Sequence, residues 1–176
     1  VCQELDLYYG VLKSRFSYNG ILNKSEAFVY QDHDELSFKL ESENLRLALR
    51  FNYPSYLKVG YRLDIIPKIR INNNLITIYY DENNSLSFKL WANSDYQIKD
   101  NMFIFDNSNV SFLLSLDEIK KGILLDKFWN EDNGIIIDNE ELVRRMILSK
   151  YLLHINCTGI YPPQESGLTY NSWNSK

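Results

Sequence analysis

Histidine is the side chain most able to take part in acid–base or metal chemistry near neutral pH, and this chain has two, His33 and His154. His33 lies in the run Asp32-His33-Asp34-Glu35, which places one imidazole among three carboxylates. Such a run could supply an acid–base pair or ligands for a metal ion. Adjacent residues of a turn point in different directions, however, and no second ligand group lies at a suitable spacing. We therefore interpret the run as a solvated turn, and we predict no metal ligands and no cofactor-binding residues.

His154 precedes Cys157 by three residues, a spacing that could bring an imidazole and a thiolate together for nucleophilic catalysis. The sequence supplies no third group to orient such a pair. His154 also closes a predicted helix, where an imidazole can stabilise the last carbonyl groups. We interpret it as a structural residue, so no catalytic residue is assigned.

A metal-dependent nuclease is a second alternative for which three residues have suitable types. Such enzymes hold Mg²⁺ and the attacking water with an acid at a strand end, and with an acid and a lysine two positions apart. Asp64 ends a predicted strand, and Glu118 and Lys120 have the required spacing. About fifty residues separate Asp64 from that pair, and Glu118 also fits the first turn of a helix. The nuclease reading is therefore weak.

Composition and charge exclude several other classes. The chain has no phosphate-binding loop and no G-x-S-x-G, C-x-x-C or H-E-x-x-H motif. The net charge is −4 and no long run of lysine and arginine occurs, so we expect no nucleic-acid partner. No apolar stretch of about 18 residues is present, so we expect no membrane partner. Mild acidity suits a basic protein partner.

Aromatic residues are abundant, with 13 Tyr, 9 Phe and 3 Trp. Tyr79, Tyr80, Trp91 and Tyr96 could stack on sugars or bases. We expect most of the aromatic rings to form core and cross-strand pairs, and the remainder to contribute to a protein interface. A carbohydrate-binding module is a variant of that interpretation.

The two cysteines, Cys2 and Cys157, lie near opposite ends of the chain, and we predict that both are free, buried thiols. Free thiols favour a cytoplasmic location. Sequons for N-glycosylation begin at Asn23, Asn83 and Asn109, and at Asn156. Their number only slightly exceeds the chance expectation, so they do not establish secretion.

The elements that must position these residues are suggested by a near-repeat. Residues 28–40 read FVYQDHDELSFKL and residues 78–90 read IYYDENNSLSFKL, and the two align without a gap. Each copy is an apolar run, a polar turn and an alternating run, which predicts a β-hairpin. Duplication and convergence explain the repeat equally well.

Alternation of apolar and polar residues predicts strands along most of the chain. Asn19-Gly20 indicates a type I′ turn. The predicted strands cover residues 27–31, 36–41, 45–51, 57–63, 68–71, 75–80, 86–91, 97–105 and 111–115, and a further hairpin covers 123–129 and 134–137.

Three helices are predicted. Leu5, Tyr8, Tyr9 and Leu12 have helical spacing, so residues 1–12 are expected to form a short helix. Residues 115–118 have the capping-box pattern of a helix of one or two turns. Residues 138–154 form the longest predicted helix, with Asp138 as N-cap, and its wide apolar stripe predicts burial against a sheet.

These elements predict an α+β fold, because strands precede the main helix and no βαβ alternation occurs. We expect one domain over residues 1–176. Its sheet is predominantly antiparallel and twisted, or a partly open barrel built of hairpins, and helix 138–154 packs on it. Residues 158–176 are expected to form an extended tail.

The expected function is a non-catalytic protein-binding module rather than an enzyme. A small acidic α+β protein would suit an immunity or inhibitor protein that masks the basic active site of a toxin. The first alternative is a structural or accessory domain of a larger viral or phage polypeptide. The absence of an initial methionine favours that alternative, and the Asn- and Ile-rich composition suggests a viral or low-GC bacterial source. The oligomeric state is not predicted.

Overall fold

A computed structural model describes residues 1–54, 61–62, 66–119, 122, 124–130 and 137–157. Thirteen strands and two helices occur within these ranges. The strands are β1 (Cys2–Asp6), β2 (Val11–Tyr18), β3 (Ile21–Val29), β4 (Glu35–Glu41), β5 (Ala48–Arg50), β6 (Tyr53–Pro54), β7 (Tyr61–Arg62), β8 (Lys68–Asn72), β9 (Leu75–Tyr79), β10 (Ser85–Ala92), β11 (Tyr96–Lys99), β12 (Met102–Phe105) and β13 (Val110–Ser115). The helices are α1 (Asp126–Asn130) and α2 (Glu140–Cys157).

Eight of the strands form one open sheet in the order β1-β2-β3-β4-β13-β10-β9-β8. Every neighbouring pair in this sheet is antiparallel. Strands β11, β12 and β5 form a second sheet, and β6 and β7 form a third. The predicted α+β class with a predominantly antiparallel sheet is confirmed, and the sheet does not close into a barrel.

Both copies of the near-repeat form hairpins, and their LSFKL strands, β4 and β10, flank the same strand, β13. The hairpin turns differ by one residue. In the first copy the Tyr30 amide donates to the Glu35 carbonyl, whereas in the second the Tyr80 amide donates to the Asn84 carbonyl. The sequence match is therefore closer than the structural match, and it does not decide between duplication and convergence.

The core lies between the eight-stranded sheet and the three-stranded sheet. Alternation places Ile76, Ile78, Phe88 and Phe112 on one side of the large sheet, which we call the core face, and all four are buried. Phe103 and Phe105 of β12 pack against them from the small sheet, together with residues such as Leu49, Phe51 and Tyr96. We call the other side of the large sheet the open face.

Turn chemistry explains most strand connections. Asn19 and Gly20 have positive φ angles of 51° and 80°, which confirms the predicted type I′ turn. Asp100 and Asn101 also have positive φ angles, of 51° and 59°, and they reverse the chain between β11 and β12. The single strand predicted over residues 97–105 is therefore wrong.

The helix predicted over residues 1–12 is also wrong, because these residues form β1 and the start of β2. Leu5 lies opposite Leu12 on the neighbouring strand. The Asp6 carboxylate accepts hydrogen bonds from the amides of Tyr8 and Tyr9, which stabilises the connecting turn. The spacing of these four residues resembles that of a helix only because Leu5 and Leu12 pair across two strands and Tyr8 and Tyr9 lie in the turn between them.

Two predictions around β13 are wrong as well. Ser115 does not start a helix. It ends β13, and its hydroxyl accepts the Asp117 amide in a local turn. The expected strand at 123–129 is replaced by α1, whose Trp129 indole donates to the Leu7 carbonyl at 2.8 Å.

Residues 45–51 are predicted as one strand, but only Ala48–Arg50 is a strand.

Contacts divide the chain into two compact units. The first contains Val1–Tyr53 and Arg62–Glu131, and the second contains Pro54–Tyr61 and Asp132–Lys176. Both sheets of the core belong to the first unit, and α2 belongs to the second. The single domain and the packing of the C-terminal helix on the sheet stay predictions.

Helix α2 confirms the longest predicted helix, with its ends shifted. Its N-cap is Asn139 rather than Asp138, because the Asn139 side chain accepts the Leu142 amide at 3.0 Å. The helix continues beyond His154 to Cys157. Its apolar side chains are mostly exposed, and Tyr151 is its buried residue. The structure describes Tyr61–Arg62 of the strand predicted at 57–63, and these two residues form β7. The rest of that strand, most of the one at 134–137 and the tail at 158–176 lie outside the described residues.

Candidate functional site

The turn between β3 and β4 buries the histidine that sequence analysis places in solvent. The His33 ring stacks on the Tyr30 ring, with centroids 5.3 Å apart and planes within 9°. The His33 side chain is only 5% exposed. The prediction of a solvated turn is therefore wrong for His33, although Asp32 and Asp34 beside it are exposed.

Two carboxylates contact the buried imidazole. Nδ1 of His33 lies 2.9 Å from Oδ1 of Asp32, and Nε2 lies 3.6 Å from Oε2 of Glu35. Glu35 is fully buried. Burial raises the pKa of the neighbouring Tyr30 hydroxyl, and the charges of Glu35 and Asp32 raise it further. The turn thus carries an ionisable cluster of Tyr30, Asp32, His33 and Glu35, which we call the His33 cluster.

The chain that follows β13 covers this cluster. The Leu116 amide donates to the Asp34 carbonyl at 3.1 Å, which attaches the segment to the hairpin tip. Further along, the backbone at Gly122 lies directly against the side chains of His33 and Asp32, so that a Cβ atom there would collide with both. This packing leaves no room for a substrate at that side of the imidazole. In the ranges given above, no group of three or more acidic, histidine or cysteine residues is arranged to hold a metal ion.

The structure describes only some of the other candidate catalytic residues. His154 lies in the last turn of α2, where burial lowers the pKa of its imidazole. Glu118 is exposed in an irregular segment, while Asp64 and Lys120 of the nuclease hypothesis lie outside the described residues. Both cysteines are free, as predicted, but Cys2 and Cys157 are exposed rather than buried.

One sequon residue has a structural role. The Asn23 side chain is fully buried, donates to the Ile21 carbonyl at 2.9 Å and accepts from the Ser42 hydroxyl at 2.6 Å. A glycan cannot be attached to an amide enclosed in this way.

The aromatic residues divide into core and surface groups. Tyr96 packs against Phe103 and Phe105 in the core. The Trp91 side chain, in contrast, is 49% exposed on the open face of β10. Trp91 lies opposite Leu113 of β13, and the cross-strand row continues through Ser37 of β4 to Phe28 of β3. We call these four residues the Trp91 row.

No protein-family model matches this chain, and no curated protein does. Its function is therefore inferred from the geometry of its own residues. Of its two helices in the described ranges, neither has the length and apolar character that spanning a bilayer requires.

Acidic side chains lie on one side of the Trp91 row, before the start of β4 and beyond the end of β13. Asp34 directly precedes β4 and is three residues from Ser37, and Asp117 lies two residues beyond the end of β13 and four residues from Leu113. Four exposed acids occur here, namely Asp32, Asp34, Asp117 and Glu118. We call them the acidic rim.

A shallow pocket lies at the other side of the Trp91 row. Its volume is about 320 Å³. It is lined by Lys39, Leu40, Glu41, Asn93, Asn109, Val110 and Ser111. The row therefore has an acidic border on one side and a concave surface on the other, an arrangement that suits contact with a protein better than enclosure of a small molecule.

Trp91 and the His33 run, with Asp32 and Glu35, are visible in the sequence. The contacts of His33 with Tyr30 and Gly122 and the cross-strand neighbours of Trp91 are not. The Trp91 row depends on the strand order, which brings Leu113 beside Trp91 and places Ser37 and Phe28 in the same row from distant parts of the chain. No local pattern encodes that order.

Proposed function

We propose that this protein is a non-catalytic protein-binding module whose contact surface is the Trp91 row with the acidic rim. The exposure of Trp91 carries the proposal. Its indole lies on a central strand of the large sheet, where a side chain has neighbours on both sides, and it is nevertheless 49% exposed. Tryptophan is among the residues most enriched at the energetic centres of protein interfaces.

The free energy available from this surface supports the proposal. A tryptophan buries roughly 150–250 Å² when it is fully enclosed. Covering the exposed half of Trp91 would therefore contribute about 2–3 kcal/mol, at roughly 25 cal/mol per Å². Leu113 lies directly beside it and Phe28 lies three strands away in the same row, and both are half-buried. A polar border around an apolar centre is typical of a specific interface.

The acidic rim indicates the charge of the partner. Four exposed carboxylates on one side of the row attract a basic surface, and the net charge of −4 has the same sign. Such charges act mainly on the association rate. An inhibitor of immunity type, which covers a basic active site, is the specific form of this proposal.

The experiment compares capture of proteins from the source organism by the wild type, Trp91→Ala and Tyr18→Ala. Tyr18 is a suitable control because it is 53% exposed and lies on the other side of the sheet. We expect a basic partner that the wild type and Tyr18→Ala retain equally. With that partner purified, Trp91→Ala should weaken the affinity about thirty-fold, the effect of losing an interface centre of about 2 kcal/mol.

The acidic rim is tested separately, with Asp34→Asn, Asp117→Asn and Glu118→Gln combined in one chain. Asp32 is left in place because it contacts His33. We expect a lower association rate that no longer falls steeply as salt is added. The proposal fails if the captured partner binds Trp91→Ala as tightly as it binds the wild type, or if no partner distinguishes the two chains.

A further inference from the structure

The large sheet ends in two open edges. Within the described ranges, no strand pairs with the outer side of β1 or of β8. Backbone amides and carbonyls along such an edge can accept an additional strand, so natural proteins usually protect their edges. The two edges of this sheet are protected by charges of opposite sign.

Strand β1 has an acidic edge and β8 has a basic one, and both sets of charges lie on the open face. Glu4 and Asp6 alternate with Leu5 on β1, while Lys68 and Arg70 alternate with Ile69 on β8. The pairing register assigns both charged sets to one side of the sheet. The side chains of Glu4, Lys68 and Arg70 are exposed.

Apolar residues occupy the other side of both edges. Leu5 of β1 is 42% exposed and Ile71 of β8 is 50% exposed, and both lie on the core face. The edges thus match in charge on the open face, with acid against base, and each edge carries an exposed apolar side chain on the core face.

Strand direction permits the two edges to meet. Because all neighbours among the eight strands are antiparallel, β1 and β8 run in opposite directions. A second copy placed beside the first, with its faces in the same orientation, therefore brings its β8 antiparallel to β1. The result is a continuous sheet across two copies.

The hydrogen-bond pattern also permits this pairing. Residues on either side of a two-residue hairpin turn form a hydrogen-bonded pair, and such pairs recur at every second residue. Tyr18–Ile21 and Asn72–Leu75 are the pairs at two such turns. The registers carry this alternation to the edge strands. The backbone amides and carbonyls of Gln3 and Leu5 therefore face outward on β1, and those of Ile69 and Ile71 face outward on β8.

We propose that copies of this chain associate edge to edge, with β1 of one copy paired antiparallel to β8 of the next. The register that joins the outward-facing residues sets Leu5 opposite Ile69 and Gln3 opposite Ile71. That same register sets Glu4 opposite Arg70 and Asp6 opposite Lys68. One alignment of the five residues of β1 with the five of β8 therefore meets three conditions. It places side chains of the same face together, pairs the outward-facing backbone groups and sets opposite charges against each other.

The occupant of these edges is a second copy because each edge complements the other and not itself. Pairing of β1 with β1 would face acids with acids, and pairing of β8 with β8 would face bases with bases, which is unfavourable for directly opposed residues. The contact between β1 and β8 uses two different surfaces, so it leaves a free edge at each end of the assembly. It forms a ring or continues to longer assemblies.

The first test is a charge exchange between Glu4 and Arg70, measured by sedimentation over a wide range of concentration. We expect concentration-dependent association of the wild type. Glu4→Arg and Arg70→Glu should each weaken it about five- to ten-fold, because an opposed attractive pair becomes a repulsive one. The chain that carries both changes should recover the wild-type association. Asp6 is not changed, because its carboxylate accepts the Tyr8 and Tyr9 amides.

Glu26→Arg is the matched control, since Glu26 is exposed on the interior strand β3 and its replacement changes the net charge equally. It should leave association unchanged, and so should Trp91→Ala, which separates this proposal from the proposed function. Arg70→Glu also removes a contact in which the guanidinium lies 5.3 Å from the centre of the Tyr79 ring. Recovery in the double variant shows that this lost contact is not the cause.

The second test blocks one edge at a time. Leu5→Pro and Ile69→Pro each remove an outward-facing amide and no internal ladder bond, and proline is tolerated at sheet edges. Each variant alone has only one of the two edges that the contact requires, so it should remain monomeric. An equimolar mixture should form a dimer that does not grow further, with the far-ultraviolet circular dichroism of the wild type.

Three results would overturn the proposal. The wild type could remain monomeric at every concentration, which would mean that the edge charges only prevent association. Glu4→Arg and Arg70→Glu could associate as strongly as the wild type. A mixture of the two folded proline variants could remain monomeric.

Discussion

At the tip of the β3–β4 hairpin, the His33 imidazole packs against the Tyr30 ring and the backbone of Gly122. Glycine is required at position 122 because a Cβ atom there would overlap His33 and Asp32. The imidazole cannot move away easily, since it is 5% exposed and is held by Asp32. Because Gly122 has no side chain, the backbone after β13 can pack directly against the His33 cluster.

We expect Gly122→Ala to lower the free energy of unfolding by about 1–3 kcal/mol, the usual cost of forcing an extra carbon atom into a packed site. Urea denaturation of the wild type and the variant measures this difference. His33→Ala removes part of the obstruction, so the same substitution should cost less in that background. An equal cost in both backgrounds would show that His33 does not determine the space at Gly122.

The burial of His33 could not be predicted from its own neighbours. The run Asp32-His33-Asp34-Glu35 is wholly polar, and a polar turn is normally solvated. What covers it is a glycine almost ninety residues later in the chain. The residue types of the cluster were visible in the sequence, whereas its enclosure depends on that distant contact.

Among the elements, hairpins were predictable because their signals are local. The Asn19-Gly20 turn is predicted from two adjacent residues, and the structure confirms it. Strand β2 and most of β3, on either side of that turn, were not predicted. The predicted helices at 1–12 and 115–118 failed for the opposite reason. Their spacing and capping patterns are compatible with helix, but pairing with β2 and the end of β13 determines the backbone there.

Helix α2 provides a prediction about pH. Glu141 in its first turn accepts hydrogen bonds from Arg144 at 2.7 and 3.0 Å and from Arg145 at 2.7 Å. These bonds lower the pKa of the Glu141 carboxyl from 4.5 to about 2. Because the folded pKa is lowered, the stabilising effect of the carboxylate is present above pH 4.5 and is lost as the pH falls towards 2.

An NMR titration of the Glu141 side-chain carboxyl measures this pKa directly. We expect a midpoint near 2 in the wild type and a return towards 4.5 when Arg144 and Arg145 are both replaced by alanine. Added salt should move the midpoint in the same direction, since all three side chains are exposed. A midpoint near 4.5 in the wild type would mean that the arginines do not hold the carboxylate in solution.

At the scale of the whole molecule, the Trp91 row and the core depend on the same strand order. The sequence showed consecutive hairpins of alternating apolar and polar residues, which was enough to predict an antiparallel sheet. It did not show that β13 inserts between β4 and β10, because that placement joins hairpins about fifty residues apart. Non-local order of this kind places Phe28, Leu113 and Trp91 in one cross-strand row on the open face.

The same order places Phe103 at the centre of the contact between the two sheets, and this gives the last prediction. Phe103 is fully buried, and its ring lies 5.5 Å from that of Tyr96 and 6.3 Å from that of Phe88. Phe103→Ala should lower the free energy of unfolding by about 3–5 kcal/mol, because it leaves a cavity between the sheets. Chemical denaturation measures the loss.

Hydrogen exchange distinguishes a local cavity from release of the small sheet. Phe88 lies on the large sheet and Phe103 on the small one, so we expect the amides of β5 and β12 to exchange faster in Phe103→Ala, ahead of those of β9 and β10. Ile98→Ala is the control on the same small sheet, since Ile98 is 40% exposed and lies opposite Phe103. Unchanged protection of β5 and β12 in Phe103→Ala would contradict the idea that this ring holds the two sheets together.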